Sequence, residues 1–121
     1  MTPANNPKIS LGKLGEEIAS DFLKNKGYKI IERNFRTRFG ELDIIAKDGN
    51  CLVFIEVKTR KNLFFGLGRE SITLSKQNKI RHTALFYLQK RKIGYTKIRF
   101  DVVEILLSKN NAKITLIREA F

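Results

Sequence analysis

The stretch Gly40–Arg60, GELDIIAKDGNCLVFIEVKTR, predicts two strands joined by a tight turn. The first strand carries Glu41 and Asp43, and the second carries Glu56 and Lys58. The turn between them reads Asp-Gly-Asn, residue types that tolerate a positive φ. Because side chains alternate between the two faces of a strand, Glu56 and Lys58 share one face. The stretch therefore predicts a β-hairpin that carries charged side chains within otherwise apolar strands.

The register of this hairpin decides whether its carboxylates meet. An antiparallel register that pairs Asp43 with Glu56 would place their Cβ atoms about 4.5–5.5 Å apart. Two carboxylates that close, among apolar neighbours, repel each other and lose hydration. A divalent cation between them relieves both costs, and oxygen-only ligands suit Mg²⁺ or Mn²⁺ better than zinc. Lys58 could then orient a water molecule or neutralise charge on a phosphate.

A simpler interpretation is a solvated hairpin face on which Asp43 or Glu56 pairs with Lys58. An acidic residue two positions before a lysine is common in strands by chance. The combination with an aspartate on the preceding strand, amid apolar neighbours, is more specific. It favours a metal site over a surface ion pair.

Length and composition indicate one domain spanning residues 1–121. The chain is 42% hydrophobic and 30% charged, which is typical of a globular protein. Residues 1–8 form a polar lead that we expect to be loose. No apolar run approaches the roughly 20 residues of a membrane span, and the N-terminus lacks the apolar core of a signal peptide. We therefore expect a cytoplasmic protein with no membrane partner.

The counts of cysteine, histidine and charged residues limit the kinds of metal site and partner that the chain can have. A single cysteine, Cys51, excludes an internal disulfide and zinc clusters, and a single histidine, His82, excludes histidine-rich metal sites. Lysine and arginine number 24 against 12 aspartates and glutamates, so that the net charge is +12. Such an excess is typical of proteins that bind a polyanion, most often nucleic acid. Ribosomal proteins are also this basic, so that charge alone does not predict catalysis.

The first predicted helix begins after Ser10, an N-cap candidate, and ends near Lys26, before Gly27. Its apolar stripe, with spacings of three and four residues, consists of Leu11, Leu14, Ile18 and Phe22. Glu17 falls on the polar side of the helix. Glu16 falls on the flank of the apolar face, from which it could reach a site at the sheet edge. Its alternative role is that of a first-turn carboxylate favoured by the helix dipole.

The second predicted helix runs from about Leu74 to Lys92, with Thr73 or Ser75 as its N-cap. Its predicted buried face consists of Ile80, Ala84, Tyr87 and Leu88. Gln77 falls in the middle of this face, so that it either hydrogen-bonds near the helix start or points into the cleft beside Lys76. The helix is basic throughout and has no acidic residue, which predicts a phosphate-tracking surface.

Three further strands are predicted at residues 28–38, 97–107 and 112–117. The fold class is therefore α/β, with a mixed sheet of about five strands flanked by helices in the order α-β-β-β-α-β-β. For Asp101, in the second of these strands, we favour a structural pairing with a nearby arginine. Phe64 and Phe65 lie in a glycine-rich segment that could form a flap whose rings stack on bases, or could cap the core.

The segments LGKLGEE, FRTRFGELDIIAKDG, FIEVKTR and RFDVV, between Gly12 and Val103, resemble the YraN-like family of small bacterial proteins. That family is similar to the PD-(D/E)XK nucleases, near the archaeal Holliday-junction resolvases. The resemblance implies a restriction-endonuclease-like fold and metal-dependent hydrolysis of phosphodiester bonds in DNA, including branched or structured DNA. Leu42 stands where many members of the superfamily have proline.

The resemblance also implies a role for each motif position. Asp43, Glu56, the Val57 carbonyl and Glu16 would hold Mg²⁺ or Mn²⁺, and Lys58 would position the attacking water. The implied catalytic residues are Asp43, Glu56, Lys58, Glu16 and Gln77. Nucleic-acid contacts are expected from Arg36, Arg38, Arg60, Lys61, Lys76 and Lys79, with DNA favoured over RNA as the partner.

Two alternative functions remain open at this point. A non-catalytic module could keep the nuclease fold and bind nucleic acid without hydrolysing it. A structural accessory of a larger nucleoprotein assembly could bind through the basic helix. A homodimer is a further expectation, since related resolvases make paired cuts with two sites.

Overall fold

The computed structural model describes residues 10–61 and 72–121. The predicted loose lead and the predicted Phe64–Phe65 flap lie outside these residues. Within the described ranges the elements follow the predicted order: α1 Leu11–Asn25, β1 Lys29–Thr37, β2 Gly40–Asp48, β3 Cys51–Arg60, α2 Leu74–Lys90, β4 Lys97–Ser108 and β5 Asn111–Ile117. No helix in the described part of the chain is long and apolar enough to cross a membrane.

Side-chain caps and turn residues set the boundaries of these elements. The Ser10 hydroxyl accepts a hydrogen bond from the backbone N–H of Lys13 at 3.1 Å, as expected of an N-cap. Thr73 caps α2 in the same way, accepting from the N–H of Lys76 at 3.2 Å. Gly49, at φ 63°, supplies the left-handed conformation that the turn between β2 and β3 requires.

The five strands form one mixed sheet in the order β1-β2-β3-β4-β5. β3 and β4 are parallel, and the other three neighbouring pairs are antiparallel. A parallel pair needs a crossover connection, and α2 lies in the connection between β3 and β4. The predicted α/β class, with helices flanking a mixed sheet of five strands, is confirmed.

Each face of the sheet buries its own apolar cluster beneath one helix. The cluster beneath α1 consists of Ala19, Leu23, Tyr28, Ile44, Ala46, Val53, Ile55, Val103 and Ile105. The cluster beneath α2 consists of Phe35, Leu42, Ile45, Leu52, Phe54, Ile80, Ala84, Tyr87 and Phe100. Ile44, Ile45 and Ala46 of β2 alternate between the two clusters, as the pleat of a strand requires. Leu42 joins the cluster of Ile45 and not that of Ile44, so that the alternation is interrupted at Asp43.

Asp101 is fully buried and has the structural role that the sequence favoured. Its carboxylate accepts hydrogen bonds from Arg99 Nε at 2.9 Å, from the Tyr28 hydroxyl at 2.9 Å and from the N–H of Glu119 at 3.1 Å. The hydrogen bond to Asp101 is the main reason that the pKa of Arg99 is raised. The predicted pairing with an arginine is confirmed.

The predicted apolar stripe of α1 is confirmed in one half and wrong in the other. Ile18 and Phe22 pack against the cluster beneath the helix, but Leu11 and Leu14 are exposed. The buried residues of the helix are Gly15, Ala19, Ser20 and Leu23. A β-carbon at Gly15 would overlap Thr59 Oγ1 and lie 2.9 Å from Thr59 Cβ. The small residues let the helix backbone approach β3 closely, and this approach turns the larger apolar residues towards the helix flank.

We expect Gly15→Ala to destabilise the protein by about 1–3 kcal/mol, because the added methyl group forces α1 away from β3. The matched control is Gly12→Ala in the same helix, where a β-carbon would meet no atom within 4 Å. There the gain in helix propensity should stabilise the protein by up to about 1 kcal/mol. Chemical denaturation of the three proteins measures both effects. Equal stability of the two variants would contradict the close approach.

Candidate active site

The hairpin has the register that would bring its carboxylates together. Ile44 pairs with Ile55 at the end of the paired stretch, and Asp43 and Glu56 are the next residues on the two strands. Beyond the Ile44–Ile55 pair, the backbone N–H of Val57 donates a hydrogen bond to Asp43 Oδ2 at 2.9 Å. A strand's N–H groups point sideways, within the sheet. The Asp43 carboxylate therefore lies between β2 and β3, where it can be approached from either face.

Three carboxylates meet at this position. One oxygen each from Glu16, Glu41 and Asp43 lies within 4.8 Å of the other two. Glu16 comes from α1, and the other two come from the start of β2. Glu41 was not among the predicted site residues. The signal available in the sequence was its position two residues before Asp43, at the start of the same strand.

Glu16 has the position predicted for it, on the flank of α1 facing the sheet. Its side chain is only 14% exposed, against 64% for Glu17. Arg33 donates to Glu17 Oε1 at 3.0 Å, but its closest approach to Glu16 Oε1 is 4.0 Å. Glu16 Oε1 is buried and has no hydrogen-bond partner among the described residues. A buried carboxylate oxygen without a donor is an open ligand position for a cation.

The environment of Asp43 strongly disfavours a negative charge. Burial, followed by repulsion from Glu56, raises the pKa of Asp43 from 3.8 to about 8, and Glu16 adds to the repulsion. The hydrogen bond from Val57 opposes this rise without cancelling it. An all-oxygen, anionic donor set of this kind fits a hard divalent cation such as Mg²⁺ or Mn²⁺.

Glu56 lies beside these carboxylates and contacts two lysines. Glu56 Oε1 is 3.3 Å from Lys76 Nζ and 4.0 Å from Lys58 Nζ. Burial, followed by contact with Lys76, lowers the pKa of Lys58. Burial also lowers the pKa of Lys76, but contacts with Lys58 and Glu56 outweigh that effect and the net shift is upward. Lys76 is the more exposed of the two lysines, at 38% against 22%, and the nearer to Glu56.

A cleft of about 210 Å³ lies between the start of β2 and the first turns of α2. Its lining consists of Gly40, Glu41, Asp43, Glu56, Lys76, Lys79 and Ile80, whereas Glu16 and Lys58 are not among the described lining residues. The structure therefore brings together Asp43, Glu56 and Lys76 as the sequence predicted, with Glu16 behind Asp43. It adds Glu41 to them.

Gln77 takes the first of its two alternatives. Its side-chain amide donates to the carbonyl of Ile72 at 3.3 Å, near the start of α2. Among the described residues, Gln77 is not part of the lining of the cleft. The amide therefore hydrogen-bonds near the helix start, and the catalytic role implied for Gln77 by the resemblance stays a prediction.

Two of the predicted nucleic-acid contacts, Lys76 and Lys79, line the cleft. Arg36 is largely exposed and pairs with Glu41 at 3.5 Å, a surface ion pair of small free energy. Arg38 lies with its guanidinium 5.1 Å from the centre of the Phe39 ring. Arg60 and Lys61 stand at the end of β3, near the same end of the sheet.

We expect Asp43→Asn to stabilise the metal-free protein at pH 8. Because the folded protein binds the Asp43 proton more tightly than the unfolded chain does, wild-type stability falls as pH rises from about 4 to about 8. Asparagine keeps an acceptor for the Val57 N–H and removes the charge. The gain should exceed about 1 kcal/mol at pH 8 and be smaller at pH 5.

Thermal and chemical denaturation in EDTA at the two pH values measure this gain. The control is Glu17→Gln, which removes an exposed carboxylate from the neighbouring helix and should change stability little at either pH. A less stable Asp43→Asn variant at pH 8 would show that the carboxylate cluster is not strained.

Residues 15–105 match the family described as Uncharacterised protein family UPF0102. A UPF0102 protein of Caldicellulosiruptor saccharolyticus is 48% identical over 116 residues, which cover 94% of this chain and 98% of the relative. A UPF0102 protein of Clostridium botulinum is 51% identical over 114 residues, covering 92% and 93%. A third, from Dictyoglomus turgidum, is 46% identical over 104 residues, covering 86% of each. The resemblance to the YraN-like family is confirmed, and the chain belongs to the UPF0102 family.

Proposed function

We propose that this protein is a metal-dependent endonuclease that hydrolyses phosphodiester bonds in DNA, including branched or structured DNA. The observation that carries the proposal is the grouping of Glu16, Glu41 and Asp43 within 4.8 Å, beside two lysines in one cleft. Glu41 pairs with Arg36 at 3.5 Å, but Arg33 comes no closer than 4.0 Å to Glu16, and burial raises the pKa of Asp43. Grouping three carboxylates in this way costs stability, and such costs are concentrated at functional sites.

Mg²⁺ or Mn²⁺ is the cofactor that fits this donor set. We assign Asp43 and Glu16 as ligands, since both were predicted and since Glu16 Oε1 has no hydrogen-bond partner among the described residues. Glu41 and Glu56 are candidates for a further carboxylate ligand, and the Val57 carbonyl remains an expected one. When bound, the ion polarises the phosphate and lowers the pKa of a coordinated water.

The lysines would supply the remaining roles. Lys58, whose Nζ lies 4.0 Å from Glu56 Oε1, would orient the attacking water. Lys76 Nζ carries its charge at the mouth of the cleft, where a phosphate oxygen could replace its contact with Glu56. The positive surface would extend from the cleft along the β1–β2 turn and α2 through Arg36, Arg38 and Lys79. They would bind the DNA backbone without reading its sequence.

We expect the wild-type protein to cut one or more members of a panel of linear duplex, flapped and four-way DNA and single-stranded RNA, each tested with Mg²⁺ and with Mn²⁺. Asp43→Ala should abolish cleavage because it removes a ligand. Lys58→Ala should abolish cleavage yet change DNA affinity little, because one lysine among many contributes little to a salt-dependent interaction. Gel analysis of cleavage and fluorescence anisotropy of binding measure the two quantities separately.

The control for this panel is Lys113→Ala, an exposed lysine on β5, far along the sheet from the cleft. It removes the same charge and should leave cleavage unchanged. Unchanged cleavage in Lys58→Ala would contradict the assigned role of that residue. Salt-dependent DNA binding without turnover under any condition would favour the non-catalytic binding module instead.

Metal affinity separates the candidate ligands in the absence of DNA. We expect Glu16→Gln to weaken Mn²⁺ binding by at least about tenfold, whereas Glu17→Gln, its neighbour in the same helix, should leave the affinity unchanged. Glu41→Gln and Glu56→Gln then show which carboxylate completes the site. Calorimetric titration with Mn²⁺ measures all four variants. Equal affinities for the Glu16 and Glu17 variants would remove Glu16 from the ligand set.

A further inference from the structure

Three exposed aromatic rings form a continuous surface beside the cleft. Phe39 follows β1, and His82 and Phe86 lie one turn apart on α2. The Phe39 ring centre is 6.0 Å from that of His82, with the planes 19° apart, and 6.1 Å from that of Phe86. Phe39 is 43% exposed and Phe86 36%, and His82 is exposed as well. We call these three residues the aromatic platform.

The turn between β1 and β2 holds the platform against the helix. Gly40 lies so close to α2 that a β-carbon there would stand 3.0 Å from Thr83 Oγ1. This approach places the preceding residue, Phe39, over the neighbouring helix positions. Gly40 and Lys79 also line the cleft. The platform and the carboxylate cluster therefore share a border.

Cations surround the platform. The Arg38 guanidinium lies 5.1 Å from the centre of the Phe39 ring, and Lys90 Nζ lies 6.0 Å from that of Phe86. Lys79 stands between the platform and the cleft. In the described part of the chain, none of these three cations forms an ion pair with a carboxylate. Their charges are available to a polyanion.

Exposed aromatic rings interleaved with unpaired cations match the chemistry of an unpaired nucleic-acid strand. Each base of such a strand offers a face for stacking, and each phosphate offers a charge. In a duplex the base faces are already stacked on each other, so that exposed rings would gain nothing from them. A second copy of this chain fits less well, because a two-fold contact through this surface would bring identical cations together.

We propose that the aromatic platform binds unpaired nucleotides of DNA beside the cleft, so that the preferred substrates carry a single-stranded segment, as flapped DNA does. This inference rests on the proposed nuclease function and names its substrate class. The duplex portion would contact the basic residues around the cleft. The unpaired strand would cross Phe39 towards Phe86.

The test compares binding to a 20-nucleotide single strand, a flapped duplex and a blunt duplex by fluorescence anisotropy in EDTA. We expect Phe39→Leu, which keeps an apolar side chain but loses the ring, to weaken binding to the first two probes by about 5- to 10-fold. Affinity for the blunt duplex should change by less than about twofold. Phe39→Trp should retain full affinity. The matched control is Tyr95→Leu, which removes a fully exposed ring outside the platform and should have no effect.

Three results would overturn the proposal. The first is that Phe39→Leu lowers the affinity for all three probes equally, or lowers none of them. The second is tighter wild-type binding to the RNA of the same sequence. The third is a dimer, seen by sedimentation, that Phe39→Leu converts to a monomer without changing DNA affinity.

The binding assay and the cleavage panel test the two proposals independently. Because EDTA removes divalent cations, binding is measured without turnover. A protein that prefers unpaired DNA but never cuts would refute the nuclease and keep the platform. A protein that cuts with no such preference would refute the platform and keep the nuclease.

Discussion

The hydrogen bond from the Val57 N–H to Asp43 is the interaction on which the candidate site depends. It holds the Asp43 carboxylate in the gap between β2 and β3, so that a charged group lies within the sheet. A side chain in that position belongs to neither face. This is how a glutamate from α1 and a glutamate from β2 can approach the same aspartate. Without that bond, the sheet would separate the helix residues on its two sides.

Carboxylates on β4 and at the start of β2 have opposite environments. On β4, Asp101 accepts hydrogen bonds from Arg99, Tyr28 and the main chain, so that burial of its charge is compensated. Between β2 and β3, Asp43 and Glu16 lie among further carboxylates and their charges are only partly compensated. The first arrangement stabilises the fold. The second stores a free-energy cost that a bound cation would relieve, which is the usual division between structural and functional polar groups.

Much of the fold could be predicted because local chemistry determines it. The caps at Ser10 and Thr73 and the turn at Gly49 are short-range signals that the sequence contains. The order of the elements predicted the mixed sheet. The prediction failed for Leu11 and Leu14 of α1, because helical periodicity contains no information on how closely two backbones approach.

The candidate site could be predicted in part for the same reason. Asp43, Glu56 and Glu16 stood out by spacing and by resemblance, but Glu41 did not. Its role depends on α1 reaching the gap between two strands, which is a tertiary relation. Gln77 shows the opposite case: its position on the helix face allowed two partners, and only the placement of the Ile72 carbonyl decided between them.

The contact between Gly15 and Thr59 links packing to chemistry in one further way. Gly15 immediately precedes Glu16, so that the same close approach that fixes the helix also fixes how far the glutamate reaches. In a genetic screen for loss of activity, Gly15 should therefore score with the carboxylates, although no atom of it would touch substrate. Positions of this kind make the catalytic residues of a protein seem more numerous than they are. Here the additional position is Gly15, which determines how far Glu16 extends towards the site.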